Sequence, residues 1–393
     1  MPKQEPLEEY GVVRDRRAAE ARKDREAADR LWHQLQASGT PGDAVRDAVR
    51  DAVREWKGRI LADPALQGWA ICERLCDESA ELAESDPDAA EELAALAVTL
   101  APKVSGEDTL VCALQEYAWT HLGNACRARG DLAGAEEAFR RAHTFFAGAM
   151  GGIWPSVLRR QRLAPLSSRL LCEQGKLGEA MEKIDFALRL AMADPDGGEG
   201  QAVLLLERAR LRRRFGQTEA AVQDLVRADE LAPQRSNPRL ALRIAIELGA
   251  SLCDSGRHAE VKKVPTALRK VAEGLEPERS RLLCLDGRVA AGLGRAREAE
   301  AVLARDPSEF HRRAIAERAL LFIEVAALHA REGRTAELKS LAESMPRLAE
   351  GTGLNREAAA ILKLFCRLAA QDKLTPDRAL QFAGDFTRLS SGR

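Results

Sequence analysis

The sequence predicts an all-helical protein built as a stack of antiparallel helix hairpins. Three observations carry that expectation. Only 4% of the 393 residues are aromatic, while Ala, Leu, Arg and Glu dominate, a mix that favours helices over strands. Amphipathic segments alternate with short breaks along most of the chain. A glycine then recurs at the end of successive segments, at Gly130, Gly175, Gly216, Gly256, Gly294 and Gly333, spaced by 45, 41, 40, 38 and 39 residues. Glycine there enters a left-handed turn without a Cβ clash, and the next helix starts almost at once, which forces the pair antiparallel. A period of this kind points to a solenoid.

Taken in order, Leu7 to Gln36 reads as a charged helix with Trp32 and Leu35 as its few large apolar residues, broken by Ser38-Gly-Thr-Pro-Gly42. Asp43-Ala-Val-Arg46 then repeats twice, to Arg54, and sets Val45, Val49 and Val53 on one stripe. The stripe packs on the next element or docks on a partner or second copy. Ala65 to Ala83 and the helix opened by Ser85-Asp86-Pro87, an N-terminal cap followed by proline in the first turn, form a first hairpin. Ser105 to Arg129 and Asp131 to Met150 form the next. Polar and breaking residues join later units, as at 194–200 and 232–238. Residues 355–370 and 375–389 make a last hairpin without the glycine turn, as expected of a terminal cap. The expected division is 1–62 as charged N-terminal helices, 63–350 as repeats and 351–393 as the cap.

Residues 116–150 carry Trp119, Leu122, Gly123, Ala135, Phe139 and Ala142. At these spacings the hairpin resembles the tetratricopeptide repeat, with Cys126 in place of its tyrosine and Ala147 in place of its proline. Further units match through Ala221, Ala228 and Pro233, and through Gly287 and Ala299. One unit departs: Val261 takes the alanine position and Pro265 falls within the second helix, which predicts a shortened or kinked helix there. The resemblance implies a right-handed superhelical solenoid whose first helices line a concave groove. Trp69-Ala-Ile-Cys-Glu-Arg-Leu-Cys76 and Gln115 to Asn124 are also similar to bacterial tetratricopeptide proteins that often carry a helix-turn-helix and look like transcriptional regulators. The roughly 60 residues before the array do not read as such a DNA-binding domain.

Composition narrows the chemistry. A formal charge of −1 argues against a general nucleic-acid binder, and no apolar run is long enough to cross a bilayer. The start lacks the apolar core of a signal peptide, and eight scattered cysteines fit a reducing cytoplasm. The six histidines lack paired metal spacing, and no phosphate loop or catalytic constellation stands out, so a non-enzymatic protein without metal or cofactor is expected.

Charge on the first helices is more informative. Registering the units on their glycines puts Asn124, Arg127, Arg162, Arg169, Arg210, Arg213, Arg243 and Arg288 at or near groove-facing positions, with Glu207 to Arg214 the densest run. Guanidinium forks on a curved surface suit carboxylates or phosphates. The competing reading is that these arginines pair with Glu and Asp of neighbouring helices. Trp154, in Gly151-Gly-Ile-Trp-Pro155, is either a partner anchor or a plug for the longer linker. The expectation is a cytoplasmic bacterial scaffold, adaptor or sensor holding a protein or peptide, an acidic one included, in a basic groove. The alternative is a transcription-associated regulator acting on nucleic acid or the transcription machinery. Homo-oligomerisation through the N-terminal helices is a further expectation.

Overall fold

The computed structural model describes residues 19–33, 56–83, 86–149, 163–192, 198–232, 237–305, 310, 314–344, 354, 356–371 and 373–390. The 43–54 repeat, Trp154 and Arg162 lie outside the described residues. Among those described there is no strand. The chain falls into two compact units, Met1–Gln174 and Gly175–Arg393, a boundary inside the predicted repeat region.

The first unit holds α1 (19–33), α2 (56–62), α3 (Trp69–Leu82), α4 (Pro87–Leu100), α5 (Asp108–Arg129), α6 (Leu132–Ala149) and α7 (Leu163–Glu173). The N-terminal helices are part of its core: Trp32 packs edge-on against Trp56 at 4.8 Å, and both join Trp69, Leu75 and Tyr117 in one apolar cluster. Arg25 of α1 adds a hydrogen bond to Glu73 of α3 at 2.8 Å. Asp86 caps α4 by accepting from the Ala89 amide at 3.1 Å, and Pro87 sits in the first turn, as the sequence predicts. The α5–α6 hairpin turns at Gly130, whose φ of 91° lies in the left-handed region. Asp131 then accepts from the Gly134 amide at 2.9 Å. At Gly123 the two helices come so close that a Cβ would lie 3.0 Å from the Phe139 ring. Ala135 at the same crossing is fully buried.

The second unit runs through α8 (Leu177–Met192), α9 (Gly198–Arg214), α10 (Thr218–Leu231), α11 (Pro238–Asp254), α12 (Thr266–Glu273), α13 (Glu276–Gly292), α14 (Ala296–Leu303), α15 (Ile315–Glu332), α16 (Thr335–Ser344), α17 (Arg356–Ala370) and α18 (Pro376–Ser390). Each of the other five predicted turn glycines also has a positive φ. Pro265 acts as foreseen: a single 3-10 turn at His258–Glu260 and an extended stretch come first, and α12 begins only after the proline, with eight residues. In this unit α9, α11, α13 and α15 lie side by side, each packed on the next.

The last hairpin closes the unit in a way that simple end-stacking does not describe. Helix α17 packs on α16, and α18 turns back onto α15, so α15 to α18 form a closed ring of four helices. Phe365 of α17 sits in that ring, edge-on to Phe322 at 5.8 Å and to Phe382 at 5.5 Å. Helix α18 also reaches α9, and a Cβ on Gly216 would meet the Arg388 side chain at 3.9 Å.

Candidate functional site: a charge ladder on four adjacent helices

Four helices of the second unit carry ionic residues on the face that each turns to its neighbour. Glu247 and Asp254 on α11 are seven residues apart, as are Arg281 and Arg288 on α13 and Glu317 and Glu324 on α15. Seven residues is close to two turns, so both members of each pair project from one face. The helices are in register, and the pairs build two rows of alternating charge.

In the first row Arg210 Nε donates to Glu247 Oε1 at 2.8 Å. Arg281 Nη2 donates to the same oxygen at 2.8 Å, and Arg281 Nε to Glu317 Oε1 at 2.6 Å. In the second row Arg213 Nε and Nη2 donate to Asp254 Oδ2 at 2.9 and 2.6 Å. Arg288 Nη2 donates to Asp254 Oδ1 at 2.8 Å, and Arg288 Nε to Glu324 Oε1 at 2.9 Å. Arg213 Nη1 ties the rows together by donating to Glu247 Oε2 at 2.9 Å.

The ladder is deeply set: Glu247 is 3% exposed and Arg288 2%. At such depth a charge survives only if its partners replace its hydration. Burial alone would push the Glu247 carboxyl up, but Arg281, Arg210 and Arg213 together hold it well below the usual carboxylate range. Asp254 follows the same balance, with Arg213 and Arg288 outweighing burial. Glu324 ends its row with Arg288 alone as its arginine, and burial pushes its carboxyl up. Three atoms of the ladder, Arg288 Nη1, Glu317 Oε2 and Glu324 Oε2, are buried with no hydrogen-bond partner.

The predicted basic residues therefore come with their own acids. In the run from Glu207 to Arg214, Arg210 also donates to Glu207 at 2.8 Å. Arg208 and Arg212 point the other way, onto Asp224 of α10, Arg208 with two bonds at 2.9 and 2.6 Å. Arg243 lies 4.0 Å from Glu207 and is half-buried. In the first unit Asn124 and Arg127 are buried: Arg127 donates to Asn124 Oδ1 at 3.3 and 3.2 Å and to Glu173 at 2.6 Å. Arg169 is half-buried on α7. Of the two readings open at the sequence level, internal pairing is the arrangement found for Arg127, Arg210, Arg213 and Arg288. The sequence reading missed the acceptors Glu247, Asp254, Glu317 and Glu324, although the repeated seven-residue spacing marks them.

His329 Nε2 meets Glu300 at 3.1 Å, and burial, then Arg334, lowers its pKa. The His121 ring packs on Tyr117 at 4.6 Å. Among the described residues no group of three or more His, Cys, Asp or Glu is placed to hold a metal ion, and no helix is long and apolar enough to cross a membrane. Comparison with protein-family profiles and with curated proteins returned no match.

Proposed function

We propose that the chain is a non-enzymatic scaffold whose hairpins form tetratricopeptide-like right-handed superhelical arrays, and that the second unit binds a polypeptide partner on the face of α9, α11, α13 and α15. The observation that carries this reading is the ladder. It fixes four successive first helices in one register and so gives their shared face a defined shape. The close α5–α6 approach at Gly123 and the six left-handed turns support the repeat assignment.

The partner is recognised by shape and at the half-exposed margin of the ladder rather than by a surplus of positive charge, because the central arginines are already neutralised. The half-exposed edge formed by Arg210 and Arg243 beside Glu207 is where an acidic side chain of a partner would compete with an internal one. The same pairing leaves little free charge in 207–214 for nucleic-acid phosphates. A bacterial cytoplasmic adaptor or sensor role belongs to the same proposal.

The test is capture of partners from the native host with the wild-type chain and with Arg243→Glu, which reverses charge at the edge and leaves the buried rows intact. A protein retained by the wild type and lost from the variant supports the scaffold. Duplex DNA that binds with a steep fall in affinity between low and moderate salt would support the transcription-associated reading instead.

A further inference from the structure

The last helix lies against two of the four helices of this face. Helix α18 packs along α15 and also reaches α9, the first and fourth members of the side-by-side set. Its C-terminal end comes near the α9–α10 turn, where a Cβ on Gly216 would meet the Arg388 side chain at 3.9 Å. Ala379 and Phe386 are fully buried and Phe382 is half-buried, a spacing of i, i+3 and i+7 along one stripe. The receiving surface is the apolar strip of α15, with Leu320, Ile323 and Ala327, flanked by the ladder residue Glu324.

The outward side of α18 is partly apolar. Leu380 is 57% exposed and Leu389 40% exposed, so α18 leaves part of its apolar surface uncovered. Three buried ladder atoms, on α13 and α15, lack hydrogen-bond partners. The charged residues nearest the end of α18 satisfy each other: Arg388 pairs with Asp385 of the same helix.

We propose that α18 is an intramolecular ligand, a resident helix that occupies the binding face and is displaced by an amphipathic helix of a partner protein carrying apolar residues at the same i, i+3, i+7 spacing. This rests on the scaffold reading and names its partner class. A helix of that form lays its apolar stripe on α15 and turns its polar flank to the ladder. While α18 is seated, the apparent affinity for the partner is reduced by the fraction of molecules in which the face is open.

The test uses the full chain and a fluorescein-labelled synthetic peptide of residues 375–390, with a scrambled peptide as control. In Phe386→Ala the resident helix is loosened while the face on α15 is unchanged. The expected result is that the labelled peptide binds Phe386→Ala at least roughly tenfold more tightly than wild type, by fluorescence anisotropy. Equal binding to both, or no binding to a Phe386→Ala chain that still melts cooperatively, overturns the proposal. If Phe386→Ala does not fold, native-state hydrogen exchange of the wild type decides: α18 amides exchange through an opening that leaves α15 and α17 protected. Exchange of α18 and α15 only together overturns it. A host partner lost with Arg243→Glu but indifferent to the peptide would keep the scaffold and reject the resident helix. Peptide exchange without any such partner would do the reverse.

Discussion

Glu247 and Arg281 meet across the α11–α13 interface at 2.8 Å, and the same carboxylate also accepts from Arg210 and Arg213. Three guanidinium groups converge on one buried carboxylate. Its removal leaves uncompensated positive charge in a site that water does not reach, so Glu247→Gln should cost about 3 kcal/mol or more. Urea denaturation measures it as a lower midpoint. Replacing Glu247 and Arg281 together with Leu and Met should recover only part of that loss, because Arg210, Arg213 and Glu317 still each lose a partner.

The pH dependence of stability has a definite sign for each carboxylate. Glu247 and Asp254 have folded pKa values below those of the unfolded chain. Their contribution is fully present above about pH 4, near the unfolded value, and is lost as pH falls through the lowered folded values. Glu324 is raised instead, so it binds a proton more readily folded than unfolded, and it contributes stability gained as pH falls toward about 4. Glu324→Gln should therefore be tolerated far better than Glu247→Gln at pH 7, and its advantage should shrink toward pH 5. Chemical denaturation at several pH values checks both.

At Gly123 an added Cβ would lie 3.0 Å from three atoms of the Phe139 ring. Gly123→Ala should lower stability by about 1–3 kcal/mol through overpacking. Gly130→Ala should cost about 1–2 kcal/mol for a different reason, its φ of 91°. Combining Gly123→Ala with Phe139→Leu should relieve the first loss and leave the second unchanged.

These two glycines mark what was legible in the sequence. A turn that needs a left-handed residue leaves a local signature, and all six turns follow it. Pro265 is equally local, and it shortens α12 as expected. The ladder is not local. Its arginines stand out as a run, but their acceptors sit 34 to 41 residues away on the next hairpins, as Arg281 to Glu247 and Arg213 to Asp254 show. Counting arginines without those acids makes a neutral face look basic. The seat of α18 was hidden for a related reason. An apolar stripe through Ala379, Phe382 and Phe386 announces an amphipathic helix but carries no address, and only packing places it on α15 and α9.

The cysteines provide an independent check on the described packing. Burial raises the Cys126 and Cys366 thiols to about 11 and also raises Cys253 and Cys284. Cys112 and Cys172 are only half-buried. Brief treatment of the native chain with iodoacetamide at pH 8 should modify these two first, as read by mass spectrometry. Denaturant should make all eight reactive.

The claim that the ladder arginines are held by the fold is tested most directly by a double-mutant cycle between Asp254 and Arg288. Stabilities of wild type, Asp254→Asn, Arg288→Met and the double variant would be measured by urea denaturation. A coupling energy of about 1–3 kcal/mol is expected for a buried pair within one network. A coupling near zero would contradict the ladder.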